Sequence, residues 1–557
     1  MSWLMWTVLG VSAAACGGGD GTKPPPGLSC STSAGQSVTL SLGAYTARPP
    51  LPSAGCFIFP GNASTTDSTF YLLAGQLATD AEGATAAFIL DGDTIHPALA
   101  AAPANPLSAS GLGLPERFHA FLRQQERSHY AGVALAAQTA AVAPAPAQLA
   151  GPPTVGSTRT FKVCSNLTCS SLATVTATAK TVNGKMAIYV DNNAPANGLT
   201  QGALDTLGAL FDTTLYAVDT AAYGRESDID TNTVVIVLMT NVVNQLVTKT
   251  QCQTQGFVAG FFFGADIDPQ FAAQFNKGEI FYSIVADPDS TLSCAHSVAR
   301  VKSLVPVTFI HEFQHMISYN QHVLVRGGNP QVTWLDEGMS HFAEELGGRS
   351  FLPGDQAQFS NFVIGDLINS YQYLDSSATH FVAFSSGIGS LAERGAAWLL
   401  VRYMVDQFAT DLSFASVTAF TRSLEQTNLV GASAIETATG TPFPTIVERW
   451  ALANYVSDLP GFTAPAELQY KSWSFRTTFA SLNSQVPSIF KKPFPLTPPI
   501  TAGSAVSLSG TLHAGSANYA LAFQRPSAPG FDLLFSGPNG AALQGSLDPR
   551  LNILRIR

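Results

Sequence analysis

Charged residues are scarce in this sequence. Only 12% of its 557 residues are Asp, Glu, Lys or Arg, while 46% are hydrophobic. The 28 Lys and Arg are outnumbered by 38 Asp and Glu, for a formal net charge of −10. No basic cluster is present to neutralise a phosphate backbone, which argues against nucleic acid as a partner. So little charge beside so much apolar material also excludes an acidic disordered chain. No apolar run reaches the ~20 residues that a membrane-spanning helix needs. The CxxC spacing of many zinc sites is absent, as is any internal repeat of about 20–50 residues. What is left is a chain long enough for roughly three domains of ~150 residues, each able to bury a core.

Seven cysteines are present. Met1 to Ala15 is largely apolar and ends in Ser12-Ala13-Ala14-Ala15 before Cys16. Small residues followed by cysteine predict a lipoprotein-type signal peptide over 1–15, with Cys16 as the lipidated mature N-terminus. The basic segment that usually opens such a signal is missing, and an ordinary signal peptide is the alternative. Gly17-Gly18-Gly19-Asp20-Gly21-Thr22-Lys23-Pro24-Pro25-Pro26 then suits a Gly/Pro tether over 16–29, because such a segment does not pack. The other six cysteines fall into neighbouring pairs, Cys30/Cys56, Cys164/Cys169 and Cys252/Cys294. In an exported chain they predict three disulfides, although six cysteines allow fifteen connectivities.

Residues 30–100 carry short β-rich runs such as Ser37-Val38-Thr39-Leu40-Ser41-Leu42 and Phe70-Tyr71-Leu72-Leu73, which predict a small antiparallel β domain. Residues 101–156 hold a predicted helix from Pro115 to about Ala131 and an Ala/Pro-rich linker. This segment is a candidate for removal as a propeptide. The middle unit, 157–462, opens on strand-like runs at Thr158–Val163, Ala173–Ala179 and Met186–Val190, with Asn183-Gly184 as a hairpin turn. A helix over Thr200–Ala221 and a buried strand at Val234–Met239 are expected next. From Ser297 to about Asp458 the pattern is mainly helical. Residues 463–557 return to alternating runs punctuated by Gly and Pro, predicting a C-terminal β domain.

An apolar run, Leu304 to Ile310, leads into His311-Glu312-Phe313-Gln314-His315. Four residues apart on an α-helix, the two imidazoles differ by about 40° in direction and about 6 Å in height, so both reach one metal ion. Glu312 then points beside that ion, towards a metal-bound water. Catalytic zinc takes three protein ligands and keeps a fourth position open. Glu337, within Trp334-Leu335-Asp336-Glu337-Gly338, is the third-ligand candidate. Arg326-Gly327-Gly328-Asn329-Pro330 supplies a turn that lets a second helix return antiparallel and present it. The metzincin pattern fails, since Ser318 and Gln321 stand where Gly and His would be required. His322 sits roughly 10 Å beyond His315 on the same helix and could bind only if that helix broke early. Two neutral imidazoles and one carboxylate leave zinc with about one positive charge, enough to acidify its water.

Glu344, two turns after Glu337 on the same face, is placed to accept the outer ring proton of a zinc-bound histidine. The rival reading is a surface charge beside Glu345. His341, one turn after Glu337, either lines the same cleft or is uninvolved. Gly387-Ile388-Gly389 reads as a loop, and Ser340, Ser385 and Ser386 lack a nucleophile-elbow pattern.

His311 to Met316 taken with Trp334-Leu335-Asp336-Glu337-Gly338-Met339-Ser340 resembles the gluzincin superfamily, and within it the hyicolysin-type neutral zinc metallopeptidases. Gly395 to Tyr403 is similar to a downstream helix of that family, and the family-like region covers about 157–460. The resemblance implies an α+β zincin-like catalytic domain over 157–462, which the patterning of a multidomain chain flanks with small β domains. That catalytic domain would have a mixed sheet in its N-terminal part and a mainly helical C-terminal part. It implies His311, His315 and Glu337 as ligands of one catalytic Zn2+, with Glu312 as general base. Gluzincins of the aminopeptidase branch have Asn before the ligand Glu, where this chain has Asp336. They also place Tyr just before a Glu-(Lys/Arg)-Gly step, where this chain has Ala392-Glu393-Arg394-Gly395. The oxyanion-stabilising group is therefore sought among Tyr371, Tyr373, His380 and Arg394.

The expected function is an exported zinc metalloendopeptidase acting on proteins or peptides. It would be held at the outer membrane or cell surface by its lipid anchor only, with a secreted soluble form as the variant. The alternatives are a catalytically inactive surface adhesion or binding lipoprotein with a protease-like domain, and a zinc aminopeptidase.

Overall fold

Six strands build the central sheet: β1 (Thr158–Cys164), β2 (Leu172–Val182), β3 (Met186–Asp191), β4 (Val235–Met239), β5 (Gly260–Phe262) and β6 (Ile280–Ser283), in spatial order β5-β6-β4-β3-β2-β1. They belong to a computed structural model that describes residues 30, 35–50, 55–92, 112–129, 151–385 and 389–557. The signal and tether, with Cys16, lie outside the described residues, as do most of the Ala/Pro linker, Ser386, Gly387 and Ile388. β1, β2 and β3 form antiparallel hairpins, with Asn183-Gly184 in the expected turn. β3, β4 and β6 run parallel, and β5 closes one end as an antiparallel edge strand. All five residues of β4 are buried, as a parallel strand covered on both faces requires. The helix expected over 200–221 forms as Gln201–Leu210 and Tyr216–Ala222, joined by a π-helical turn.

Helix α1 (Leu114–Arg127) packs near β5, with Phe118 edge-on to Phe261 at 4.9 Å. Helix α2 (Val298–Tyr319) carries the His311–His315 motif, and Ser297 caps it by accepting from the Arg300 amide. It is buried from Phe309 to Tyr319, so the motif lies on a core helix. The chain continues through a π-helical turn, Asn320–Val325, and reverses at Gly327. Helix α3 (Thr333–Arg349) returns and is buried on every side from Thr333 to Gly348. Helices α4 (Gln356–Asp375) and α5 (Leu391–Phe408) pack against it. Two glycines permit this crowding. A Cβ on Gly338 would meet the Ala397 carbonyl oxygen at 3.0 Å, and one on Gly395 would meet the Asn369 carbonyl carbon at 2.2 Å.

The two β domains expected at 30–100 and 463–557 are one structure. Strand Thr69–Leu77 lies between Ala517–Gln524 and Pro549–Arg555, antiparallel to both, so Leu72 faces Leu521 on one side and Leu554 on the other. In a second sheet Thr85–Asp91 lies between Ser507–His513 and Phe531–Ser536. The two five-stranded sheets share a core that includes Phe57, Leu73, Phe88, Leu533 and Leu551. Each end segment alone would leave open edges and half a core, and pairing removes both defects. Leu72, Leu521 and Leu554 pack instead into the large core of the middle unit. The 463–557 segment also holds a helix, Phe475–Gln485, whose Phe475 packs against Trp398.

The cysteines pair as sequence neighbours: Cys30–Cys56, Cys164–Cys169 and Cys252–Cys294. The chain is thus multidomain with mixed α and β content. No helix among the described residues is long and apolar enough to cross a membrane.

Candidate metal centre

α2 and α3 meet so that His311, His315 and Glu337 offer ligand atoms within 4.8 Å of one another. His311 Nε2 is 3.6 Å from Glu337 Oε2, and His315 Nε2 is 3.9 Å from Glu337 Oε1. Donors bound to zinc at ~2.0–2.1 Å in a tetrahedron stand about 3.3 Å apart, so this spacing needs only a slight contraction. Neither Glu337 oxygen accepts an aligned hydrogen bond, although both are buried. Arg394 Nη1, on α5, forms an ion pair with Oε2 at 3.2 Å. A buried carboxylate lacking hydrogen bonds, facing two imidazole nitrogens, fits a cation between the three.

Each imidazole is held from behind by an acid. His311 Nδ1 lies 2.8 Å from Glu344 Oε1, and His315 Nδ1 lies 2.9 Å from Asp336 Oδ2. A carboxylate accepts, so these contacts place a ring proton on Nδ1 and turn Nε2 towards Glu337, where its lone pair would serve a bound cation. Glu344 is therefore buried and engaged rather than a surface charge. Glu345 is buried too, accepting from the indoles of Trp398 and Trp473 at 3.1 and 2.9 Å. His341 joins the network: its Nδ1 lies 3.0 Å from Glu344 Oε1 and 2.9 Å from Asp366 Oδ1.

The electrostatics suit a cation. Burial pushes the Glu337 carboxyl up, but Arg394 and the two imidazoles outweigh it and hold the group well below its ordinary value. Burial likewise opposes charge on His311, yet the facing carboxylates of Glu337 and Glu344 raise its pKa to about 10, so a metal bound there would displace a proton. Glu312, one residue from His311, accepts from the Phe262 amide on β5 at 2.9 Å through Oε2. Its Oε1 lies 3.4 Å from His119 Nδ1 on α1.

Of the four oxyanion candidates, only Arg394 reaches this cluster. The Tyr371 hydroxyl accepts from the Lys492 amide at 2.7 Å, the Tyr373 hydroxyl lies 2.8 Å from Ser516 Oγ, and His380 Nε2 lies 3.1 Å from Ser376 Oγ. All three face the strands and loops of the C-terminal segment or their own helix end instead. His322 stays in the π-helical turn that prolongs α2, with Nε2 3.2 Å from Glu425 Oε2. Asp336, His119 and Arg123 are site residues that the motif by itself does not reveal. His119 and Arg123 do carry a signal, being four apart on one face of a helix beside the apolar Phe118 and Leu122.

No family model matches this chain, and no curated protein is significantly similar to it.

Proposed function

We propose that this chain is an exported zinc metallopeptidase of the gluzincin type, related to the hyicolysin-type enzymes, that cuts proteins or peptides internally. The observation that carries the reading is the convergence of His311 Nε2 and His315 Nε2 on the buried Glu337 carboxylate, which also pairs with Arg394, with Glu312 beside them. His311, His315 and Glu337 would hold the zinc, and Glu344 and Asp336 would fix the rings. Bound zinc supplies Lewis acidity, polarising a peptide carbonyl and acidifying a water.

The rest of the chemistry belongs to the chain's own groups. Burial raises the Glu312 pKa, but His119, His311, His315 and Arg123 more than offset this and hold it below its ordinary value. It is therefore ionised near neutral pH and ready to take a proton from water and deliver it to the leaving amine. The Phe262 amide fixes one of its oxygens, so the other is the one that carries the proton. Arg394 is the cation nearest the ligand set and is the donor best placed to steady a developing oxyanion. Three disulfides support an oxidising compartment, and with it export.

The test combines metal analysis with mass spectrometry of a protein mixture digested at length. One zinc per chain and internal cuts that 1,10-phenanthroline blocks are expected. His315→Ala should lose the metal, while Glu312→Gln should keep it and lose the cuts. Wild-type cleavage by Glu312→Gln, or a chain without zinc, would overturn the reading. Products trimmed only from free N-termini would turn it towards an aminopeptidase.

A further inference from the structure

The catalytic cluster is closed. Glu312, His315 and Glu337 are each 1% exposed, and His311 is 7% exposed. Part of what covers them is α1, a segment distant in sequence from the motif. Its His119 faces the Oε1 of Glu312, the oxygen left free by the Phe262 amide. Its Arg123 donates from Nη2 to the Phe262 carbonyl at 3.4 Å, and Nη1 lies 3.7 Å from Asp336 Oδ2.

These contacts take up the groups a peptide would need. β5 is the end strand of its sheet, so its outer edge pairs with no other strand among the described residues. An extended peptide recognised by strand addition bonds to the outward N–H and C=O of such an edge. At Phe262 the outward N–H is taken by Glu312 and the outward C=O by Arg123. A water to be deprotonated must also approach Glu312, where His119 now stands.

The seat of α1 is apolar at Phe118 and Leu122, both fully buried, but poorly satisfied at its polar groups. Arg123 Nε and Gln125 Oε1 are buried without hydrogen-bond partners, Arg123 Nη1 meets Asp336 only at 3.7 Å, and Glu126 Oε1 is paired within α1 itself, with Arg123 Nη2 at 3.0 Å. Each unpartnered group opposes docking, so the helix is held less firmly than its apolar contacts alone would give.

From this we infer that α1 is an internal occupant of the peptide-binding cleft, a built-in competitor that must leave Glu312 and the β5 edge before a substrate can enter. The inference rests on the peptidase reading and names its regulation. The full-length chain is then latent, and its apparent affinity for any cleft ligand falls with the fraction of molecules in which α1 is out.

The test uses full-length, zinc-loaded protein and a dipeptide hydroxamate, a chelating probe whose binding needs no turnover. An internally quenched peptide reports hydrolysis in parallel. Arg123→Glu places a negative charge against Asp336 and the Phe262 carbonyl. If α1 is docked in about nine molecules of ten, release should tighten hydroxamate binding and raise hydrolysis about 10-fold each. His119→Ala should raise both by a smaller factor. In the unaltered chain, saturating hydroxamate should speed hydrogen exchange of peptides from 114–127, a readout that survives if Arg123→Glu does not fold. Equal hydroxamate affinity in all three proteins, or unchanged exchange in α1, would overturn the inference while leaving the peptidase reading intact. So would a fall in hydrolysis by His119→Ala at unchanged affinity, which would make His119 part of the working site. Protein without zinc would overturn the peptidase reading itself, and this inference with it.

Discussion

Asp336 Oδ2 lies 2.9 Å from His315 Nδ1, although Asp336 is the immediate neighbour of Glu337, which faces Nε2 of the same ring. Adjacent residues on a helix point about 100° apart, so one turn of α3 reaches both sides of one imidazole. Asp336→Ala should weaken zinc binding about 10–100-fold, the usual cost of losing such a partner. Asp336→Asn should lose less, because its amide oxygen still accepts. Competition against a chromophoric chelator measures both, and an unchanged affinity for the Ala variant would remove Asp336 from the site.

Arg394 and Glu337 form a buried ion pair, and under the proposed function Glu337 would also meet the zinc. Removing one partner of such a pair costs about 3–5 kcal/mol, because the other charge is left uncompensated. Arg394→Met should therefore destabilise the zinc-stripped chain strongly and the zinc-loaded chain much less, since zinc compensates Glu337. The gap in Tm between loaded and stripped protein should widen relative to wild type in a thermal scan. A gap of the same size would mean that Glu337 does not meet the metal.

The close approach of α5 to α4 depends on the missing side chain of Gly395, where a Cβ would sit 2.2 Å from the Asn369 carbonyl carbon and 2.4 Å from the Ser370 amide nitrogen. Backbone cannot step aside as a flexible side chain can, so Gly395→Ala should cost at least the ~1–3 kcal/mol of overpacking. It should also disturb its neighbour Arg394. Gly365, exposed on α4, is the control, because a Cβ added there would meet nothing within 4 Å. Gly365→Ala should stabilise the protein by up to about 1 kcal/mol through helix propensity. Tm shifts of the same sign for both would contradict the packing argument.

The motif helix and the Asn183-Gly184 hairpin were legible from short-range spacing, the cysteine pairs from their order along the chain, and Glu344 from its place two turns after Glu337 on the same helix. The joined sandwich was not. Alternation along Thr69–Leu77 tells which residues share a face, but nothing local says that Leu72 pairs with Leu521 and Leu554, nearly the whole chain away. The role of α1 was hidden for a related reason. Helical periodicity groups His119 with Arg123 without saying that this polar face turns inward, onto Glu312 and the β5 edge. Asp336 stands out in the sequence only as a departure from a family pattern, because its value lies in a contact with His315 twenty-one residues earlier.

Glu279 is buried where β6 begins, and Oε1 accepts from Ser227 Oγ and the Ile229 amide while Oε2 has no hydrogen-bond partner. Burial, with a smaller contribution from Asp230, raises its pKa to about 7 despite those two donors. A carboxyl whose folded pKa is raised keeps its proton after the unfolded chain has lost its own. Its penalty is absent below the ordinary value, grows as pH rises from 4.5 to about 7, and is constant above that. A shift of this size corresponds to a penalty on the order of 3 kcal/mol at pH 8. Glu279→Gln retains an acceptor towards Ser227 and Ile229 and cannot ionise. It should raise Tm at pH 8, leave Tm at pH 4 nearly unchanged, and so flatten the pH dependence of stability. Parallel pH profiles for the variant and the wild type would show that Glu279 does not titrate within the folded chain.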